Sequence, residues 1–127
     1  MEQLLLTIDV KCLDAVSVEG HSQTVVMVPF TGKAKGDFFN GEIIGSSVDT
    51  QRYKNDGTNS LSARYMIEGV DFEGKKCKVF VENNVSGDSW KPSIVTNSQV
   101  LKDWETSALR STVEGCEGGV TVKIFKS

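Results

Sequence analysis

Four side chains able to do chemistry fall inside runs that otherwise alternate apolar and polar residues: Asp49, Arg64, Tyr65 and Asn83. Each brings a different capacity. A carboxylate such as Asp49, turned into a protein interior, is desolvated; its pKa rises and it becomes a plausible proton acceptor. An inward Arg64 could hold a carboxylate or an enolate through two parallel N–H donors. Arg64 or Tyr65 could stabilise a developing oxyanion. Asn83 follows Cys77, Val79 and Val81 at period two, so its amide shares a face with apolar residues and needs partners there. Gln51 and Tyr53 share the face of Asp49 by the same alternation.

Each residue also has a plain structural reading. Asp49 would equally cap a turn or pair on the surface, and Asn83 would equally bond a neighbouring loop from a strand end. Arg64 and Tyr65 are adjacent, so on a strand they point to opposite faces. Leu61, Ala63, Tyr65 and Ile67 form an apolar set, and Ser62, Arg64, Met66 and Glu68 a polar one. Alternation favours burying Tyr65 and leaving Arg64 outside. The opposite arrangement, with the polar set lining a ligand-filled lumen, stays open. Glu82 lies with Lys78 and Phe80 on the face opposite Asn83, where water reaches it.

Other chemistries are poorly served. His21 is the only histidine and sits in a turn region, Glu19-Gly20-His21-Ser22, so a Ser-His-Asp triad would depend on a loop-borne residue with no other support. One histidine excludes the common histidine-rich metal sites, and no carboxylate cluster has cation-loop spacing. No strand, glycine-rich loop and helix make a phosphate cradle, so no metal and no cofactor are implied. Trp90 and Trp104 could rim a pocket mouth, although tryptophan more often simply packs.

The elements that must position these residues are strands. Leu4, Leu6, Ile8, Val10 and Cys12 alternate against Leu5, Thr7, Asp9 and Lys11, which reads as a half-buried first strand. Thr24 to Phe30 is a second β-branched run, with Pro29 marking an edge or terminus. Phe38 to Ile44 and Val48 to Tyr53 follow, separated by a bend or bulge at Gly45. Asn55-Asp56-Gly57 closes a hairpin onto Leu61 to Glu68, and Cys77 to Asn83 pairs back after the Gly69 to Lys75 turn. Val85 to Pro92 reads as a longer loop, Ser93 to Thr96 as a short strand, and Asn97 or Ser98 as the N-cap of a helical turn near 98–104. Ala108 to Val113 and Val120 to Phe125 are the last strands. No long helical period appears, so the prediction is all-β: one domain over 1–127, a mostly antiparallel up-and-down β-barrel of about eight strands. Closure would remove exposed sheet edges.

Bulk properties narrow the partners. A chain of 127 residues with 39% hydrophobic and 24% charged residues is long enough and apolar enough to bury a core. With a net charge of -3 and no basic cluster, it repels phosphate backbones and anionic membrane surfaces, so neither nucleic acid nor membrane is an expected partner. The N-terminal run lacks a basic region and is broken by Asp9, unlike a signal peptide or a membrane span. Cys12, Cys77 and Cys116 are odd in number and far apart, which fits a reducing cytoplasm better than a disulfide framework. An apolar outer face on several strands would need covering, which leans towards a homo-oligomer.

Val28-Pro29-Phe30-Thr31-Gly32, Gly41-Glu42-Ile43-Ile44-Gly45, Asp49-Thr50-Gln51, Asp56-Gly57, Ala63-Arg64-Tyr65 and Val79-Phe80-Val81-Glu82-Asn83 together resemble the successive motifs of domain-of-unknown-function family 3237. The match in order and spacing runs over roughly Val25 to Asn84. The resemblance implies a barrel akin to the allene oxide cyclase and lipocalin-like barrels, and no agreed reaction. The chain departs from the pattern around Asp49: Ser46-Ser47-Val48 stands where the family commonly has Gly-Gly, and Thr50 where it commonly has Trp. The usual Gly after the asparagine-containing strand is displaced to Gly87.

Three functions are compatible with these residues. One is a barrel binding a small, mostly apolar or carboxylate-bearing ligand, with Asp49, Arg64, Tyr65 and Asn83 as polar contacts. Another is an isomerase or cyclase in which Asp49 moves a proton. The third is an oligomeric structural or interaction protein whose barrel is filled by side chains. About eight strands suit either a full barrel or one just able to hold a small ligand.

Overall fold

β-branched and aromatic residues that alternate with polar ones pair into a sheet wherever turn residues interrupt them. The computed structural model is built in that way. It describes residues 2–86 and 89–127, and the backbone alone of residues 86, 89 and 90. Trp90 as a rim residue, and the displaced Gly87, therefore lie outside the described residues.

The strands among the described residues are β1 (Gln3–Cys12), β2 (Val16–Glu19), β3 (Gln23–Lys35), β4 (Phe39–Lys54), β5 (Asn59–Asp71), β6 (Lys76–Ser86), β7 (Ser89–Thr96), β8 (Leu109–Cys116) and β9 (Gly119–Lys126). A 3₁₀ turn, Lys102–Glu105, connects β7 to β8. The strands lie in the order β7-β6-β5-β4-β3-β1-β9-β8, with β2 beside β3. Every pairing is antiparallel. The sheet curls into an up-and-down barrel that closes between β1 and β9, while β7 and β8 come together without a ladder.

Several local expectations are corrected. Leu4 is exposed while Leu5 and Leu6 are both buried, because β1 carries a bulge between Leu4 and Leu6 against β9 that breaks its alternation. β3 does not end at Pro29. It runs on to Lys35, and Pro29 sits where its neighbour changes from β2 to β1, so the missing N–H falls at a gap in the ladder; the Pro29 carbonyl accepts from Leu13 N at 2.8 Å. The two runs around Gly45 form the single strand β4, with an irregularity between Ile44 and Val48 in which Gly45 adopts φ 70°. β6 and β7 extend to Ser86 and from Ser89, so most of the expected Val85 to Pro92 loop is strand. Neither Asn97 nor Ser98 caps the 3₁₀ turn, which starts after Leu101 and has no side-chain cap. Instead, Asn97 Oδ1 accepts from Lys78 N, and Ser98 Oγ donates to Asp71 Oδ2.

One end of the barrel is filled. Leu5, Leu6, Ile8, Phe39, Ile67, Val79 and Ile124 meet there from five strands, each under 2% exposed. Leu101, just before the 3₁₀ turn, and Trp104 within it complete the plug, with the Phe38 ring edge-on to Trp104 at 6.4 Å. Trp104 thus packs in the core. At the same end Gly41 and Gly69 face each other across β4 and β5; a Cβ on Gly69 would collide with the Asn40 backbone, so only glycine permits this approach. The β5–β6 turn is held by Asp71, whose Oδ1 accepts from Glu73 N at 3.0 Å and Lys75 N at 3.1 Å.

Candidate functional site: the open half of the barrel

The opposite half of the lumen holds a cavity of about 250 Å³. Its walls are mainly valines and other small or β-branched residues: Val10, Val28, Ala63, Val113, Val120 and Val122. Phe30 and Tyr65 lie between the cavity and the packed core, with ring centroids 5.3 Å apart in an edge-to-face pair.

Register sets the polar groups. Asp49 on β4 is paired with Ala63 on β5, and Ala63 with Asn83 on β6. The three therefore form one row across adjacent strands, with Asp49 and Asn83 separated by two strand spacings, roughly 10 Å. Ala63 leaves the space between them unfilled. Tyr65 lies two residues further along β5, on the same face. It is opposite the irregular stretch of β4, where Gly45, Ser46 and Ser47 separate the paired residues Ile44 and Val48. Such an insertion bends its strand and relieves crowding opposite it.

Asp49 is half-buried. Its Oδ2 accepts from Gln51 Nε2 at 2.9 Å, and Gln51 Oε1 in turn accepts from Tyr53 Oη at 2.6 Å. These are the i, i+2 and i+4 residues of one strand face, as alternation requires. The Asp49 carboxylate, which only accepts, draws the Gln51 NH₂ and so leaves Gln51 Oε1 to take the Tyr53 hydrogen. Asp49 Oδ1 is buried and has no partner among the described residues. Burial raises the Asp49 pKa above the ordinary aspartate value, and the Gln51 bond only partly opposes this. Tyr65 is 4% exposed and its hydroxyl likewise has no partner; burial pushes its pKa upward, so the phenol stays protonated. Asn83, also 4% exposed, donates through Nδ2 to Ser111 Oγ at 3.0 Å, which links β6 to β8 past the β7–β8 seam. Asn83 Oδ1 is left unpartnered.

Three of the four expected residues, Asp49, Tyr65 and Asn83, thus meet in one cavity. Arg64 does not. It projects outward between Val48 and Glu82, its Nε bonding Glu82 Oε2 at 3.1 Å with most of its side chain in water. The reason is the pleat: a residue next to a buried Tyr65 must point away from it. A broad groove on that outer wall is lined by Arg52, Arg64, Lys91 and the hydroxyls of Ser60 and Ser62. His21 is exposed on the β2–β3 connection, and only its carbonyl takes part in a bond, from Asn55 Nδ2 at 2.7 Å.

Sequence reasoning passed over Ser111, Gln51 as the partner of Asp49, and Ala63 as the gap in the row. Ser111 had a readable signal. It interrupts the apolar alternation Leu109, Ser111, Val113 as Asn83 interrupts its own strand. Among the described residues, no group of three or more His, Cys, Asp or Glu side chains could hold a metal ion, and all three cysteines are free. No helix among them is long and apolar enough to cross a membrane.

The chain is similar to a UPF0311 protein of Clostridium acetobutylicum, with 33% identity over 67 residues, which make up 53% of this chain and 39% of that protein; the matched part thus spans well under half of the curated relative. Its fold resembles that of a solved protein of unknown function from the same organism, at 20% identity, with a TM-score of 0.83 over 99% of this chain and 95% of the other. It also resembles a solved protein of Penicillium herquei described as an enzyme, at 15% identity, with a TM-score of 0.78 over 99% and 92% of the two chains. At these identities the two structures share the fold. The model of the family described as "protein of unknown function (DUF3237)" matches residues 3–87, well over half of the 127 residues, and the protein belongs to that family.

Proposed function

We propose that the protein binds a small, mostly apolar molecule in the open half of its barrel. One observation carries this reading. Three polar atoms, Asp49 Oδ1, Tyr65 Oη and Asn83 Oδ1, are buried around one apolar cavity with no partner among the described residues. A buried polar group without a partner costs about 1–3 kcal/mol. A barrel that only needed a filled core would be more stable with Leu, Phe and Val in those places. Among the described residues no Lys or Arg lines the cavity, which favours a neutral ligand over the carboxylate-bearing one that an inward Arg64 would have suited.

A second reading, an isomerase- or cyclase-type enzyme, is favoured by the raised pKa of Asp49 in the same cavity as a protonated tyrosine. Asp49 would take a proton from a bound substrate, and the Tyr65 hydroxyl would donate to the oxyanion that forms. The structural similarity to a protein described as an enzyme is compatible with this reading and identifies no reaction.

Thermal-shift screening of a metabolite and fragment library tests the first reading. A ligand at 100-fold its Kd adds about 2.7 kcal/mol, which for a chain of this length raises Tm by roughly 10 °C. Ala63→Leu, which fills the gap in the polar row, should keep the fold and lose the shift. Hits that survive Ala63→Leu unchanged would place binding elsewhere. Asp49→Asn that keeps affinity but loses turnover of a hit would establish the second reading, and unchanged turnover would reject Asp49 as the base.

A further inference from the structure

The orphaned atoms are not interchangeable, and their chemistry describes what can satisfy them. We propose that the occupant of the cavity is a neutral molecule of about single-ring size that carries both a hydroxyl donor and a carbonyl acceptor, the hydroxyl directed at the Asp49–Ala63–Asn83 row and the carbonyl at Tyr65. This rests on the reading of the cavity as a ligand site.

Size comes first. An apolar cavity of about 150 Å³ is known to hold benzene. The 250 Å³ here therefore accommodates one ring with one or two substituents. The donor and acceptor pattern comes second. Asp49 has one oxygen committed to the Gln51 NH₂ group, whose own oxygen accepts from Tyr53. The free oxygen, Oδ1, is an acceptor. Asn83 gives one NH₂ hydrogen to Ser111, and the atom it leaves without a partner among the described residues, Oδ1, is also an acceptor. The row thus calls for a donor from the ligand. Tyr65 is the complement: a buried hydroxyl, kept protonated by its surroundings, whose hydrogen has no acceptor among the described residues. It calls for an oxygen such as a carbonyl.

Charge comes third. A carboxylate would enter beside Asp49 with no cation in the wall to meet it. An ammonium group would find Asp49, but it would shed its hydration among Val10, Val28, Val113 and Val120. A neutral hydroxyl incurs neither cost. Gln51 is then a positioning residue: it selects which Asp49 oxygen the ligand meets.

The test is a matched set of one-ring probes, titrated near neutral pH by ligand-observed NMR: ortho-, meta- and para-hydroxyacetophenone, acetophenone, phenol, ethylbenzene, 4-hydroxybenzoate and phenethylamine. The best hydroxyacetophenone should bind about tenfold or more tighter than ethylbenzene, with acetophenone and phenol between them. Tyr65→Phe should remove most of the advantage of acetophenone over ethylbenzene while leaving ethylbenzene affinity unchanged, a pattern that mere loss of folding would not give. Ethylbenzene, 4-hydroxybenzoate or phenethylamine binding as tightly as the best hydroxyacetophenone overturns the ligand class but leaves the cavity a binding site. If no probe binds, ethylbenzene included, the cavity reading itself fails, and the ligand class with it.

Discussion

Two substitutions inside the same cavity should have opposite signs, and the contrast tests whether its polar groups are there for something outside the chain. Tyr65→Phe removes a hydroxyl that is buried and has no partner among the described residues. Ser111→Ala removes a hydroxyl that accepts the Asn83 Nδ2 bond at 3.0 Å. Losing a satisfied partner strands the buried amide and costs about 1–3 kcal/mol. Losing an unsatisfied hydroxyl strands nothing. Without ligand, the Tyr65 hydroxyl can be met only by water, and immobilising a water costs up to about 2 kcal/mol. The Tyr65→Phe protein should therefore be as stable as the parent or up to about 2 kcal/mol more stable. The Phe30 contact should persist, because the edge-to-face geometry depends on the ring and not on the hydroxyl. Urea unfolding followed by tryptophan fluorescence reads both variants. With an m-value near 2 kcal/mol/M, Ser111→Ala should lower the midpoint by about 0.5–1.5 M, and Tyr65→Phe should leave it in place or raise it by up to about 1 M. If Tyr65→Phe lowered the midpoint as much as Ser111→Ala does, the hydroxyl would have a structural partner, and the argument that it awaits a ligand would fail.

Three further outcomes follow from the same geometry. Burial raises the Asp49 pKa, so the native state holds a proton that the unfolded chain releases; stability from this group is fully present below the ordinary aspartate pKa and falls as pH rises through the window up to the raised value. Asp49→Asn should therefore gain stability relative to the parent as pH rises from about 4 towards neutrality, measured by Tm across a pH series; a constant difference would show that the carboxyl titrates normally. Arg64→Ala should leave both stability and probe affinity unchanged, stability within about 0.5 kcal/mol, because its ion pair with Glu82 lies on the wet outer wall; a tenfold loss of affinity would return Arg64 to the site. Gly69→Ala should destabilise by at least about 2 kcal/mol in chemical denaturation, since what a Cβ meets there is Asn40 backbone and not a side chain that can swing away; a neutral result would mean that the β4–β5 approach is looser than described.

Much of this was legible in the sequence, for reasons specific to strands. Alternation is a local property, so it could place Tyr65 and Asn83 inside, Arg64 outside, and Asp49, Gln51 and Tyr53 on one face. It fails where the backbone steps out of phase. The bulge in β1 buries both Leu5 and Leu6, and nothing in a run of three leucines says which one is the extra residue. Pro29 suggests an edge or a terminus because it lacks a donor, but β3 changes partners at that point and tolerates it. The cavity was beyond local reading. Its volume is what remains when Ala63 and several valines, from five strands in all, fail to meet across the lumen, and only the closed topology brings them to the same place. The Asn83–Ser111 bond joins residues 28 apart in sequence and has the same dependence on topology.

The seam between β7 and β8 gives the barrel the mechanics of a split ring. Everywhere else around its wall, widening the lumen means breaking backbone ladders. At the seam the strands can separate by flexing, at the cost of side-chain contacts and the Asn83–Ser111 bond. Local openings of this kind need far less free energy than global unfolding. The polar row and its tie across the seam thus share Asn83, so a molecule that engages Asn83 acts on the latch of the ring as well as on the wall of the cavity. Occupancy and the width of the barrel are then coupled through a single amide.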